Sequence, residues 1–144
     1  MTHGSRGITL IELIVVMAIL SVLLAFVGPS ASAGIDNLVL TSDGRRVASA
    51  FRSAQTMART TGQRVFATYD ESGLRFLKAN QPYQTLTMRR GVRLISSDKS
   101  AAIIFLESGQ IVGPDTVDLI NSRGRRVQLS IDHATGSIKS VNGG

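Results

Sequence analysis

A chain of 144 residues supports one domain of ordinary size, and an apolar content of 43% is enough to build a core. Sixteen Lys and Arg against ten Asp and Glu leave a formal charge of +6. The lack of cysteine excludes a disulfide scaffold, thiolate metal sites and a cysteine nucleophile. Two histidines, His3 and His133, exclude a histidine-rich metal centre, and 5% aromatic residues without Trp argue against a base-stacking platform.

The apolar residues are concentrated near the N-terminus. From Ile8 to Val27 the sequence reads ITLIELIVVMAILSVLLAFV, twenty residues with a single charge, Glu12. As a helix this run is about 30 Å long, the thickness of a bilayer's hydrocarbon core. It divides the chain into a short leader (1–7), an apolar helix (8–29) and a globular part (30–144). Three readings compete for this end. A secretory signal peptide would use Arg6 as its basic region and be cut after Ala31-Ser32-Ala33. A plain anchor would keep Arg6 on the cytoplasmic side. The third is a leader removed ahead of the apolar helix, and Glu12 separates it from the others. A carboxylate within a membrane helix costs about 2.5–3.5 kcal/mol. A signal peptide or plain anchor gains nothing from it, so a partner charge is expected.

Pro29 is expected to bend or interrupt the helix. Helical spacing resumes with Leu40, Val47, Phe51, Ala54 and Ala58 on one face, joined by Ala50 and Met57. Arg45, Arg46, Ser49, Arg52, Ser53, Gln55 and Arg59 lie mainly off it. Gly44 falls on the apolar face, where it predicts close backbone approach. Gly62 suits a left-handed helix end. Beyond it the period changes to two, which predicts strands over Arg64–Asp70, Leu74–Ala79, Thr85–Met88, Val92–Ser96, Ala102–Leu106, Thr116–Asn121, Arg126–Asp132 and Ser137–Val141. One helix to about residue 62 followed by many short strands is α+β, with an antiparallel sheet on the helix's C-terminal half.

No constellation for catalysis is present. The sequence has no Gly-rich loop ending Gly-Lys-Ser/Thr, no His-Glu-x-x-His and no Gly-x-Ser-x-Gly. His133 reads as a solvated turn residue, and no cofactor or metal is expected. Two compact basic clusters remain, Arg89-Arg90-x-x-Arg93 and Arg123-Gly124-Arg125-Arg126, each beside a turn. A soluble basic surface explains them most simply. Contact with DNA phosphates, an acidic protein or an anionic bilayer surface are the functional alternatives.

The segment Gly7-Ile8-Thr9-Leu10-Ile11-Glu12, with Pro29 twenty-one residues after Ile8, resembles the processing site of type IV prepilins and type II secretion pseudopilins. Ile8 stands where that family usually has Phe. The resemblance implies cleavage by a prepilin peptidase between Gly7 and Ile8 and N-methylation of Ile8. It also implies pairing of Glu12 with the Ile8 amine of a neighbouring subunit. Ala50–Val65, the turn Phe105 to Gly109 and the segment Ala134-Thr135-Gly136-Ser137-Ile138 are similar to H-type minor pseudopilins and FimT-like minor pilins. That branch implies a long N-terminal helix on an antiparallel sheet and no enzymatic activity. It implies a bacterial inner-membrane location, with the N-terminus cytoplasmic and the globular part periplasmic. Its partners would be major and minor pseudopilins, the peptidase, the inner-membrane assembly platform and the lipid bilayer. A FimT-like pilin of a type IV pilus, in some cases active in DNA uptake, is the runner-up. A secreted binding domain or enzyme starting at Gly34 is the reading of a different class.

Overall fold

A computed structural model describes residues 9–96 and 102–142, without the side chains of 26–33 and 142. Helix α1 runs over Leu10–Thr61. The chain falls into two compact units, Met1–Ile35 and Asp36–Gly144.

In the first unit Thr9 precedes the helix and caps it. Its Oγ1 accepts the backbone N–H of Glu12 at 3.3 Å. Ser21 donates its hydroxyl to the Met17 carbonyl at 2.8 Å, so its polar group is spent on its own helix. Of the bend or interruption expected at Pro29, the interruption does not occur, since the backbone is helical through it. A proline inside a helix forfeits one hydrogen bond, and the rest of the ladder carries the helix past it. Among the described residues no helix is long and apolar enough to cross a membrane. The run expected over Ile8–Val27 has described side chains in the helix only from Leu10 to Ala25.

Among the described residues of the second unit nine strands follow the helix: β1 (Val65–Asp70), β2 (Gly73–Lys78), β3 (Gln81–Thr87), β4 (Val92–Ser96), β5 (Ile103–Phe105), β6 (Ile111–Val112), β7 (Thr116–Asn121), β8 (Arg126–Asp132) and β9 (Ser137–Asn142). They form two antiparallel sheets, ordered β3-β2-β1-β5-β6 and β4-β7-β8-β9. Strand periodicity reports which face is buried but carries no information on which strands share a ladder. The two-residue β6 is too short to show a period and was not expected.

The apolar face of α1 meets both sheets in one core. Leu40, Val47, Ala50, Phe51, Ala54 and Ala58 are buried, and Met57 packs against them. Phe51 is fully buried, with its ring centroid 6.2 Å from that of Phe76 on β2 and 5.7 Å from that of Phe105 on β5. The second sheet contributes Leu94, Val117, Leu119, Leu129 and Ile131. Gly44 makes the close approach expected of it, since a Cβ there would lie 2.9 Å from Val127 Cγ1. Gly62 ends the helix at φ +60°, a conformation that disfavours side chains.

Candidate assembly site

Gly7 and Ile8 lie outside the described residues. Immediately after them, Thr9 is the N-cap, and Glu12 occupies the third position of the first turn, the spacing of a capping box. The partial positive charge at a helix N-terminus favours a carboxylate there. Glu12 thus has a local electrostatic reason for its place, which sequence reasoning assigned wholly to a partner. Beyond it the helix is apolar on every side. Leu10, Ile11, Leu13, Ile14, Met17 and Leu24 are all more than half exposed. A helix that is hydrophobic all round belongs in lipid or in a bundle.

The fold brings the two arginine clusters together. β4 pairs antiparallel with β7, with Val92 opposite Asn121. Arg89 and Arg90, just before β4, therefore sit at the same end of the four-stranded sheet as the β7–β8 turn with Arg123 and Arg125. Arg93 lies in β4, and Arg126 opens β8. Three of the six have aspartate partners. Arg123 lies 3.3 Å from Asp36, and Arg126 lies 3.4 Å from Asp118. Arg89 is held by Asp43, through Nε to Oδ1 at 2.8 Å and through its backbone N–H to Oδ2 at 3.1 Å. Arg90, Arg93 and Arg125 form no ion pair among the described residues.

Asp43 itself went unread in the sequence. It is fully buried on the core face of α1 and also accepts from Arg46 Nη1 at 2.8 Å. Burial alone would raise its pKa. Hydrogen bonds from the Arg89 backbone and from the Arg46 and Arg89 side chains outweigh that and hold it below the ordinary carboxylate value. Its spacing was a signal: Asp43 is three residues after Leu40 and four before Val47, on the apolar stripe. The partner, 46 residues away, was not legible.

Gln55 also escaped, by assignment to the wrong face. It is half-buried, and its Nε2 donates to the carbonyls of Gly109 (2.5 Å) and Gly136 (3.1 Å). These are the glycines of the two turns singled out in the sequence, so one side chain ties both turns to the helix. A Cβ on Gly136 would fall on Gln55 Nε2 and the Gly109 carbonyl oxygen, and one on Gly109 would fall on the Arg59 guanidinium.

His133 lies in the turn between β8 and β9, as expected, and its half-exposed ring also bridges two neighbours. Its Nδ1 lies 2.9 Å from the Ile111 carbonyl and its Nε2 2.8 Å from Asp115 Oδ1. Both neighbours only accept, so both ring nitrogens are satisfied only when the ring is protonated. The Ile111 carbonyl first, then Asp115, raise its pKa. Among the described residues no group of His, Asp or Glu could hold a metal ion.

Residues 2–28 match the prokaryotic N-terminal methylation motif. No curated protein matches the chain. Two solved structures of the minor pseudopilin EpsH from the type II secretion system of Vibrio cholerae are similar to it. The first has a TM-score of 0.61 at 16% identity, over 72% of this chain and 96% of that one. The second has a TM-score of 0.59 at 15% identity, over 76% and 97%. The chain thus has the α+β fold of that minor pseudopilin, a helix followed by antiparallel sheets, with a methylation motif at its N-terminus.

Proposed function

We propose that this protein is an H-type minor pseudopilin of a type II secretion system. It is made as a prepilin and joins the tip-proximal part of a periplasmic pseudopilus that drives protein export. The observation that carries this is the joining, in one chain, of an EpsH-like fold to an N-terminal methylation motif. Prepilin peptidase cuts between Gly7 and Ile8, and Ile8 is N-methylated. The stretch 8–27 holds the subunit in the inner membrane, with the N-terminus cytoplasmic and the second unit periplasmic. The assembly platform then moves it into a filament of major and minor pseudopilins. The all-round apolar helix supports this, because lipid and a helical bundle are equally apolar surroundings and the transfer carries little hydrophobic cost. The role is structural, without catalysis or cofactor. Intact-mass analysis of the membrane-extracted protein tests the processing step. A methylated N-terminus at Ile8 is expected, with precursor accumulating in Gly7→Ala. A start at Gly34 would mean signal-peptidase cleavage and overturns the reading.

The convergence of the two arginine clusters favours one second reading, a FimT-like minor pilin that contacts DNA phosphates. Arg89, Arg123 and Arg126 are tied to aspartates, which leaves Arg90, Arg93 and Arg125 for phosphates. At about 0.9 per phosphate neutralised, a log–log salt dependence no steeper than about −3 is expected. Tight duplex binding at physiological salt, lost when Arg90, Arg93 and Arg125 are changed to Ala, would promote this reading over the first.

A further inference from the structure

The two arginine clusters meet at the place where the second unit begins. Arg123 pairs with Asp36, the first residue of that unit, and Arg90 lines a small surface recess with Asp36 and Ser122. The six arginines of the clusters have three aspartate partners, Asp36, Asp43 and Asp118, so three positive charges are left over. Arg90 and Arg125 are exposed and form no ion pair among the described residues. A guanidinium suits phosphate, which it can hold with two parallel hydrogen bonds.

The chain itself holds a phosphate-bearing surface within reach of these charges. Nine residues separate Val27, the end of the apolar run, from Asp36, and helix α1 is unbroken over them. With Val27 at the edge of the hydrocarbon, Asp36 is at most about 14 Å beyond that edge, and any tilt or bend shortens the distance. The headgroup layer takes up about 5–7 Å of it, and the screening length at physiological salt is about 8 Å. Asp36 and the arginines beside it therefore lie about one screening length or less from the headgroups. We propose that before assembly the turn between β7 and β8, with Arg90 beside it, rests on the anionic headgroups of the bilayer that holds the helix. Arg90 and Arg125 bind lipid phosphate, while Asp36 holds Arg123 and fixes the turn against α1. This contact presupposes the membrane location of residues 8–27 proposed above. Extraction into a filament has to break it, so anionic lipid retains the unassembled subunit.

The chain has no cysteine, so Ser122→Cys, at an exposed position of the turn, carries a single fluorescent donor. The labelled full-length protein is reconstituted into vesicles of phosphatidylcholine alone and of an equal mixture with phosphatidylglycerol, each with an acceptor dye on a trace of the headgroups. Energy transfer is expected to be higher in the anionic vesicles at low salt and to fall to the neutral-vesicle value at high salt. The docked-to-free ratio read from it should fall about fivefold in Arg90→Gln or Arg125→Gln and about twenty-fivefold in the double variant, the weight of each arginine at an anionic surface. Arg125→Lys keeps the charge and should keep the docking. Arg64→Gln, beyond the far end of α1, should leave it unchanged. Flotation with both kinds of vesicle but with equal transfer overturns the headgroup contact and leaves the membrane location standing. A loss in Arg64→Gln as large as in Arg125→Gln also overturns it, because net charge alone would then suffice. Failure to float with the neutral vesicles overturns the contact and the membrane location together. Release of the turn by short duplex DNA, at a phosphate concentration below that of the accessible lipid, gives the arginines to DNA and overturns the contact too.

Discussion

Asp43 and His133 are ionised groups held by geometry, and they act on stability at opposite ends of the pH scale. The carboxyl of Asp43 is held below its ordinary value, so its contribution is present above about pH 3.9, the value expected unfolded, and is lost as pH falls toward its folded pKa. The imidazole of His133 is held above its ordinary value, so its contribution is complete below about pH 6.5 and is lost as pH rises through the folded pKa. Chemical unfolding of the full-length chain across pH should therefore show a dome. Asp43→Asn should lower stability at neutral pH by about 1–3 kcal/mol, because Arg46, Arg89 and the Arg89 N–H lose a charged acceptor. It should also flatten the acid limb. A residual acid slope is expected from Asp70, lowered by Ser72, and from Asp132, lowered by Thr135. His133→Gln should flatten the limb above pH 6.5 and leave the acid limb alone. If each variant merely shifts the whole curve, the assignment of the two limbs is wrong.

Most of the elements were legible because their period or their punctuation was strong. The strands β4, β7 and β8 lie where alternation placed them, and Gly62 ends the helix as its residue type suggested. What was not legible was non-local. The division into two sheets depends on ladder partners far apart in sequence. Gln55 follows Phe51 by four residues, on the core face, but its polarity argued for solvent; the two carbonyls that satisfy it lie 54 and 81 residues further on. Gly136 has a specific steric reason that a turn position alone does not give. At φ +66°, a Cβ would meet both the Gln55 amide and the Gly109 carbonyl oxygen. Gly124, at φ +78°, has nothing within 4 Å of the same position. Gly124→Ala should therefore cost only backbone strain, about 1 kcal/mol, while Gly136→Ala should cost well beyond that, about 3 kcal/mol. Gln55→Ala should not rescue Gly136→Ala, because the backbone carbonyl of Gly109 remains in the way. Equal denaturation midpoints for the two glycine variants would remove Gln55 and its two turns as a steric clamp.

At the scale of the whole molecule, a folded unit with its own core follows a helical stretch whose described large apolar side chains, from Leu10 to Leu24, are exposed. That contrast is what an assembling subunit requires, and Glu12 is where the assembly reading is most exposed to test. Two accounts of Glu12 compete. In one it serves only its own helix, as the acid of the first turn opposite the Thr9 cap. In the other it also pairs with the methylated Ile8 amine of the neighbouring subunit, where low dielectric strengthens the attraction and the remaining cost is desolvation. Glu12→Ala and Glu12→Gln separate them. The hydrogen bond from the backbone N–H of residue 12 to Thr9 Oγ1 uses no side-chain atom of Glu12, so the cap survives both changes. The second unit, Asp36–Gly144, holds its own core and should fold unchanged. Gln keeps the size and capping ability of Glu and loses only the charge. If pairing between subunits matters, both variants should be inserted and processed normally, yet their recovery in the sheared pseudopilus fraction should fall about tenfold, the effect of losing about 1.4 kcal/mol. If Glu12 serves its own helix alone, Glu12→Gln should assemble as well as wild type, and the pairing between subunits would have to be abandoned.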